Sequence, residues 1–140
     1  MARIVLCPAL AVAVVALAGG CAKQSELIPV TGKVTLEGKP LLHGTVSYRS
    51  PAGDLTAPQA SGPLDAEGKY RLFTEGEPGV KPGTYRVVVF AYDQPTRGPG
   101  HRGLPQSIIH VRYQREDTTP LTREVGTDVR AGAYDLELEP

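Results

Sequence analysis

Tryptophan and asparagine are absent from the 140 residues, and methionine occurs once, at the start. Without Asn there is no N-x-Ser/Thr glycosylation acceptor. With no Trp, six Tyr and two Phe, little aromatic surface is available for stacking on sugar faces. Neither sign of charge dominates, because 15 Lys and Arg balance 15 Asp and Glu. That balance argues against a broadly basic nucleic-acid binder and against an acidic disordered tail. Cysteine is confined to Cys7 and Cys21, so the chain beyond residue 21 has no internal disulfide and depends on an apolar core.

Signatures of chemistry are missing as well. There is no G-x-S-x-G nucleophile elbow and no phosphate-cradling glycine loop followed by Lys-Ser/Thr. His43, His101 and His110 show no paired metal-ligand spacing. Asp65-x-Glu67-Gly68 lacks the alternating oxygen ligands and distal Glu of an EF-hand loop and reads as a turn. The expectation is therefore a protein that is not an enzyme, with no catalytic residues, no cofactor and no metal.

The first segment has a different composition. Arg3 precedes a run from Ile4 to Leu17 that is almost wholly apolar, followed by Ala18-Gly19-Gly20-Cys21 and then the polar Lys23-Gln24-Ser25-Glu26. This order reads as a secretory signal peptide. The run of about 14 residues, interrupted by Pro8, is shorter than the ~20 that span a bilayer. Small residues directly before a Cys, at positions 17–21, resemble the lipobox of bacterial lipoproteins, with Ala18 where Leu is commonest. The resemblance implies cleavage before Cys21 and acylation of its thiol, giving a signal peptide at 1–20, a lipidated tether at 21–28 and a folded domain at 29–140. Ordinary cleavage after Ala18 or Gly20, leaving a free thiol, is the alternative.

Beyond the tether, short period-2 runs alternate with Gly/Pro turns, and no stretch shows a helical stripe. Val30, Val34 and Leu36 share one face of a first strand, and Glu37 to Pro40 turns the chain. Val46 and Tyr48 face inward from Thr45–Arg49, and Ser50 to Gly62 reads as a loop. Leu64 to Tyr70 predicts a tight hairpin, with Tyr70, Leu72 and Thr74 continuing one face. After a turn at Glu75 to Gly83, Thr84 to Tyr92 is the most strand-like run, and its unbroken apolar stretch predicts a central strand covered on both faces. Asp93 to Gln106 reads as a long loop, Ser107–Tyr113 and Leu121–Val125 as further strands, and Tyr134, Leu136 and Leu138 as the inward face of a last one. About seven short strands at this spacing predict an all-β fold, a single antiparallel β-sandwich.

Three segments carry a resemblance to a family. Pro29 to Leu41 with Gly44-Thr45-Val46, Leu64 to Leu72, and Pro82 to Val89 resemble carboxypeptidase-regulatory-like, transthyretin-like domains. With Cys21, the chain is similar to small planctomycete-type lipoproteins carrying one such domain. Ile109 to Tyr113 and Thr119 to Leu121 match their closing segments in outline, with His110 where Pro is usual. The resemblance implies a seven-stranded sandwich of the prealbumin type and no reaction. The fold by itself does not name a function.

One region is a candidate contact surface. Between Tyr92 and Arg115, the cations Arg97, Arg102, Arg112 and Arg115 outnumber the single acid Asp93, and Tyr92 and Tyr113 border the loop that also holds His101. A loop of this length inside a compact domain is often functional. The expected partner is an envelope protein or cell-wall polymer, with a solubilising, water-facing loop as the plainer reading. The sequence thus supports an exported, membrane-anchored structural or protein-interaction module. Its alternative is a carbohydrate or small-ligand binding module using the Tyr-bearing loops. Which membrane holds the protein, and its oligomeric state, are not specified.

Overall fold

In a computed structural model, which describes residues 26–50, 58–93, 104–128 and 130–140, the alternating runs become ten short strands. Strands β1 (Thr31–Leu36), β2 (Lys39–Pro40), β5 (Lys69–Arg71) and β10 (Leu136–Leu138) form one sheet, in which β1 pairs with all three others. The second sheet runs β7 (Glu77–Pro78), β6 (Phe73–Thr74), β4 (Ala60–Pro63), β3 (Thr45–Arg49), β8 (Gly83–Phe90) and β9 (Thr122–Val125). The chain is all-β, and no helix among the described residues is long and apolar enough to cross a membrane.

Two hairpins turn on two-residue loops with positive φ at both positions: Glu37-Gly38 (50° and 77°) and Glu75-Gly76 (51° and 88°). This is the turn geometry whose twist matches that of the paired strands, and it folds the predicted turns at 37–40 and 75–83 into small antiparallel ladders. Gly62 meets a different demand. A Cβ on it would collide with the Arg71 carbonyl, so β4 and β5, which belong to different sheets, approach here as only a glycine allows.

Side chains from both sheets share one core, with Val30, Val34, Val46, Leu72, Val89 and Leu136 fully buried. The expected inward faces are buried apart from Leu36, which is half-buried at the end of β1; they include Tyr70, Leu72 and Thr74, and Val87, Val88 and Val89 are buried on both faces of β8. A polar chain crosses that core. The Tyr70 hydroxyl (β5) donates to the Tyr134 carbonyl at 2.6 Å and lies 3.0 Å from the Tyr48 hydroxyl of β3, so Tyr48 is the donor to Tyr70. Three segments are stitched together, with the Tyr48 and Tyr70 hydroxyls both paired.

Three expectations are corrected. The fold is not wholly antiparallel: β10 runs parallel to β1, with Val34 opposite Leu136. The Asp135 carboxylate sets this register by accepting the Lys33 N–H at 2.9 Å. The end of the predicted 50–62 loop is strand β4, held between β3 and β6. Ser107–Tyr113 is not a strand; it contains a 3-10 turn, Val111–Gln114. There the Ser107 hydroxyl and the His110 ring accept the backbone N–H groups of Ile109 and Arg112, at 3.3 and 3.1 Å, that a ladder would need.

Candidate functional site

Strand β8 has two differently equipped ends. Near its start, Ile28 of the incoming chain bridges to Val80 through reciprocal backbone hydrogen bonds of 2.8 and 2.9 Å. At its far end, about 26 Å away for eight residues, the chain enters the 93–106 loop. The base of that loop is closed. The Asp93 N–H donates to the Gln106 carbonyl at 2.8 Å, the Gln106 N–H donates to the Asp93 carboxylate at 2.6 Å, and Tyr92 bridges to Ser107.

The chain beyond the base is ordered by the Ser107 hydroxyl, which donates to the Ile109 carbonyl at 2.7 Å and accepts from the Gln114 amide. Ile109 and Tyr113 are buried and pin the segment to the core. The Tyr113 hydroxyl accepts from Arg112 at 2.8 Å and from the Glu139 N–H at 3.0 Å. Arg112 in turn pairs with the Glu139 carboxylate at 3.1 Å, its guanidinium carbon 4.8 Å from the Tyr113 ring centroid. These partners, Tyr113 foremost, hold the Arg112 pKa above its ordinary value. Arg115 grips Asp117 with two hydrogen bonds of 3.0 and 2.7 Å, which holds the Asp117 carboxyl below the usual range.

The structure therefore gathers Tyr92, Arg112 and Tyr113 around one 3-10 turn, with the Tyr92 hydroxyl 3.4 Å from the Gln114 carbonyl oxygen. Of the three, Tyr92 is exposed, Arg112 is half-buried, and Tyr113 is a core residue that positions Arg112 and does not face a partner. Arg97, His101, Arg102 and Cys21 lie outside the described residues. Two of the four cations counted from sequence, Arg112 and Arg115, have acidic partners from Glu139 and Asp117.

A feature missed in the sequence takes the place of that charge. Leu104 (86% exposed), Val111 (59%), Tyr92 (42%) and Ile108 (38%) form a run of exposed large apolar side chains around the loop base. Ile108 and Val111 have the look of strand residues, and only the 3-10 turn brings Val111 outward. Scattered apolar residues on a surface mean little, but several close together at one loop base make a candidate contact surface.

Among the described residues, no three His, Cys, Asp or Glu side chains come together as metal ligands. His110 is engaged as the cap of the 3-10 turn, and His43 is exposed beside Gly44. No family model, curated protein or solved structure matches the chain.

Proposed function

We propose that the chain is a non-catalytic lipoprotein of the cell envelope, held to a membrane by acylated Cys21 and displaying a seven-stranded, transthyretin-like β-sandwich for protein interaction. In this reading the shortest strands, β2, β6 and β7, are decorations of the hairpins around a seven-strand frame. The observation that carries it is the opposition of the two ends of β8. The tether enters beside Val80, while Tyr92, Leu104, Ile108 and Val111 gather at the far end. A domain pinned by its start would present that apolar surface away from the lipid. Two or three acyl chains on one residue give durable anchoring where a single chain is marginal.

Cysteine 21 replaced by serine is expected to move the protein from the membrane fraction to the soluble fraction. Mass spectrometry of the wild-type protein is expected to find acyl groups on a chain starting at Cys21. A membrane-bound C21S protein or an unmodified Cys21 would refute the anchoring. For the contact surface, Ile108→Asp with Val111→Asp is expected to abolish crosslinks to a neighbouring envelope protein in intact cells while leaving the membrane fraction unchanged.

A further inference from the structure

The exposed face of β1 and β5 is the floor of an open cleft of about 810 Å3. Its electrostatics are unusual for a sheet face. The antiparallel register sets Lys33 directly across from Lys69, and Arg71 follows two residues further along the same face of β5. Like charges placed directly opposite on a sheet destabilise it. None of these three cations makes an ion pair among the described residues, whose two ion pairs are Arg112–Glu139 and Arg115–Asp117. The carboxylates of Asp65 and Asp135 in the same lining offset part of this charge, and the three cations still leave the cleft net positive, which favours an anionic ligand.

The remaining lining narrows the class of anion. Phe73 continues the outward alternation of Lys69 and Arg71 and is 39% exposed, so a flat apolar face closes one end of the cationic row. Asp65 and Asp135 also line the cleft. Each uses Oδ1 to accept backbone N–H groups, Asp65 from Glu67 and Lys69 at 2.9 and 2.8 Å and Asp135 from Lys33 at 2.9 Å. Their Oδ2 atoms have no hydrogen-bond partner among the described residues and are acceptors for hydroxyl groups. A DNA-type phosphate backbone carries charge without hydroxyl donors and would leave the Oδ2 acceptors of both aspartates unused. A sugar acid has carboxylates for the cations, hydroxyls for the aspartates and a C–H face for the ring. We infer that the Lys33–Lys69–Arg71 cleft binds an acidic, uronate-type oligosaccharide. The inference does not depend on lipidation or on the Tyr92 surface.

The test uses the full chain in detergent micelles and a fluorescent polygalacturonate oligosaccharide as probe. Lys33→Gln with Lys69→Gln is expected to weaken binding about tenfold or more, since each lost charge-assisted contact is worth roughly that factor. Phe73→Ala is expected to weaken it by several-fold, and methyl esterification of the probe to remove it. The double variant relieves a like-charge pair, so its urea midpoint is expected to equal or exceed that of the wild type, which separates lost binding from lost folding. Binding that is unchanged in K33Q/K69Q, absent in the wild type, or stronger for a charge-matched single-stranded oligonucleotide overturns the inference. The C21S protein is expected to bind the probe as the wild type does, so the fate of the anchoring proposal leaves this result intact.

Discussion

At the scale of single residues, the hydroxyl of Tyr70 holds the two sheets together from the inside. Removing it in Y70F strands the buried Tyr48 hydroxyl without its acceptor and the Tyr134 carbonyl without its donor. The expected cost is about 2 kcal/mol, read as a lower urea midpoint at pH 7. The same chain carries a pH signature. Burial pushes the Tyr48 hydroxyl up to about 12 and raises Tyr70 in the same direction. Both are therefore protonated when folded, while an unfolded tyrosine ionises near 10. Their stabilising contribution is complete below about pH 10 and fades as pH rises through the folded values. For Tyr48 the loss is on the order of 2 kcal/mol by pH 12. Urea midpoints taken from pH 8 to 12 should be flat at first and then fall, and Y48F/Y70F should remove most of that fall. Gly62 is the other decisive residue. In G62A the new methyl meets the Arg71 carbonyl, and a destabilisation of about 3 kcal/mol is expected from the same assay.

At the scale of elements, what could be read from the sequence divides along a physical line. Period 2 reports which side of a strand is apolar, and it correctly placed Val46 and Tyr48, Tyr70 and Leu72, and Leu136 and Leu138 in the core. It is blind to strand direction, so nothing in Tyr134-x-Leu136-x-Leu138 says that β10 runs parallel to β1. Strand β4 escaped notice because Ala60-Ser61-Gly62-Pro63 has no β-branched or aromatic residue; it is a strand because β3 and β6 flank it. At the 3-10 turn, side-chain acceptors on Ser107 and His110 outcompeted a ladder that the apolar residues alone would suggest. For the proposed contact surface, the charge count was misleading: Glu139 reaches Arg112 only through folding, while Asp117 sits two residues from the Arg115 it neutralises. Because β10 pairs along β1 and buries Leu136 completely, L136A is expected to cost about 3 kcal/mol by urea denaturation.

At the scale of the whole molecule, the two sheets have one core and one polar link across it, so they should melt together. Far-ultraviolet circular dichroism and tyrosine fluorescence are expected to trace coincident urea transitions, and separated midpoints would mean that the sheets unfold independently. The surfaces are divided differently. The Tyr92 cluster at the end of β8 and the cationic cleft over β1 and β5 are built from different elements, so the two proposed contacts do not compete for the same residues.

The pairing of Val34 with Leu136 has a temporal consequence. Closing so long a stretch of chain is slow and is rewarded only at the final step. If the polypeptide emerges start-first from a translocation pore, its opening strand waits half-zipped until the tail has come through. The body would remain threadable during passage and would snap shut only on arrival.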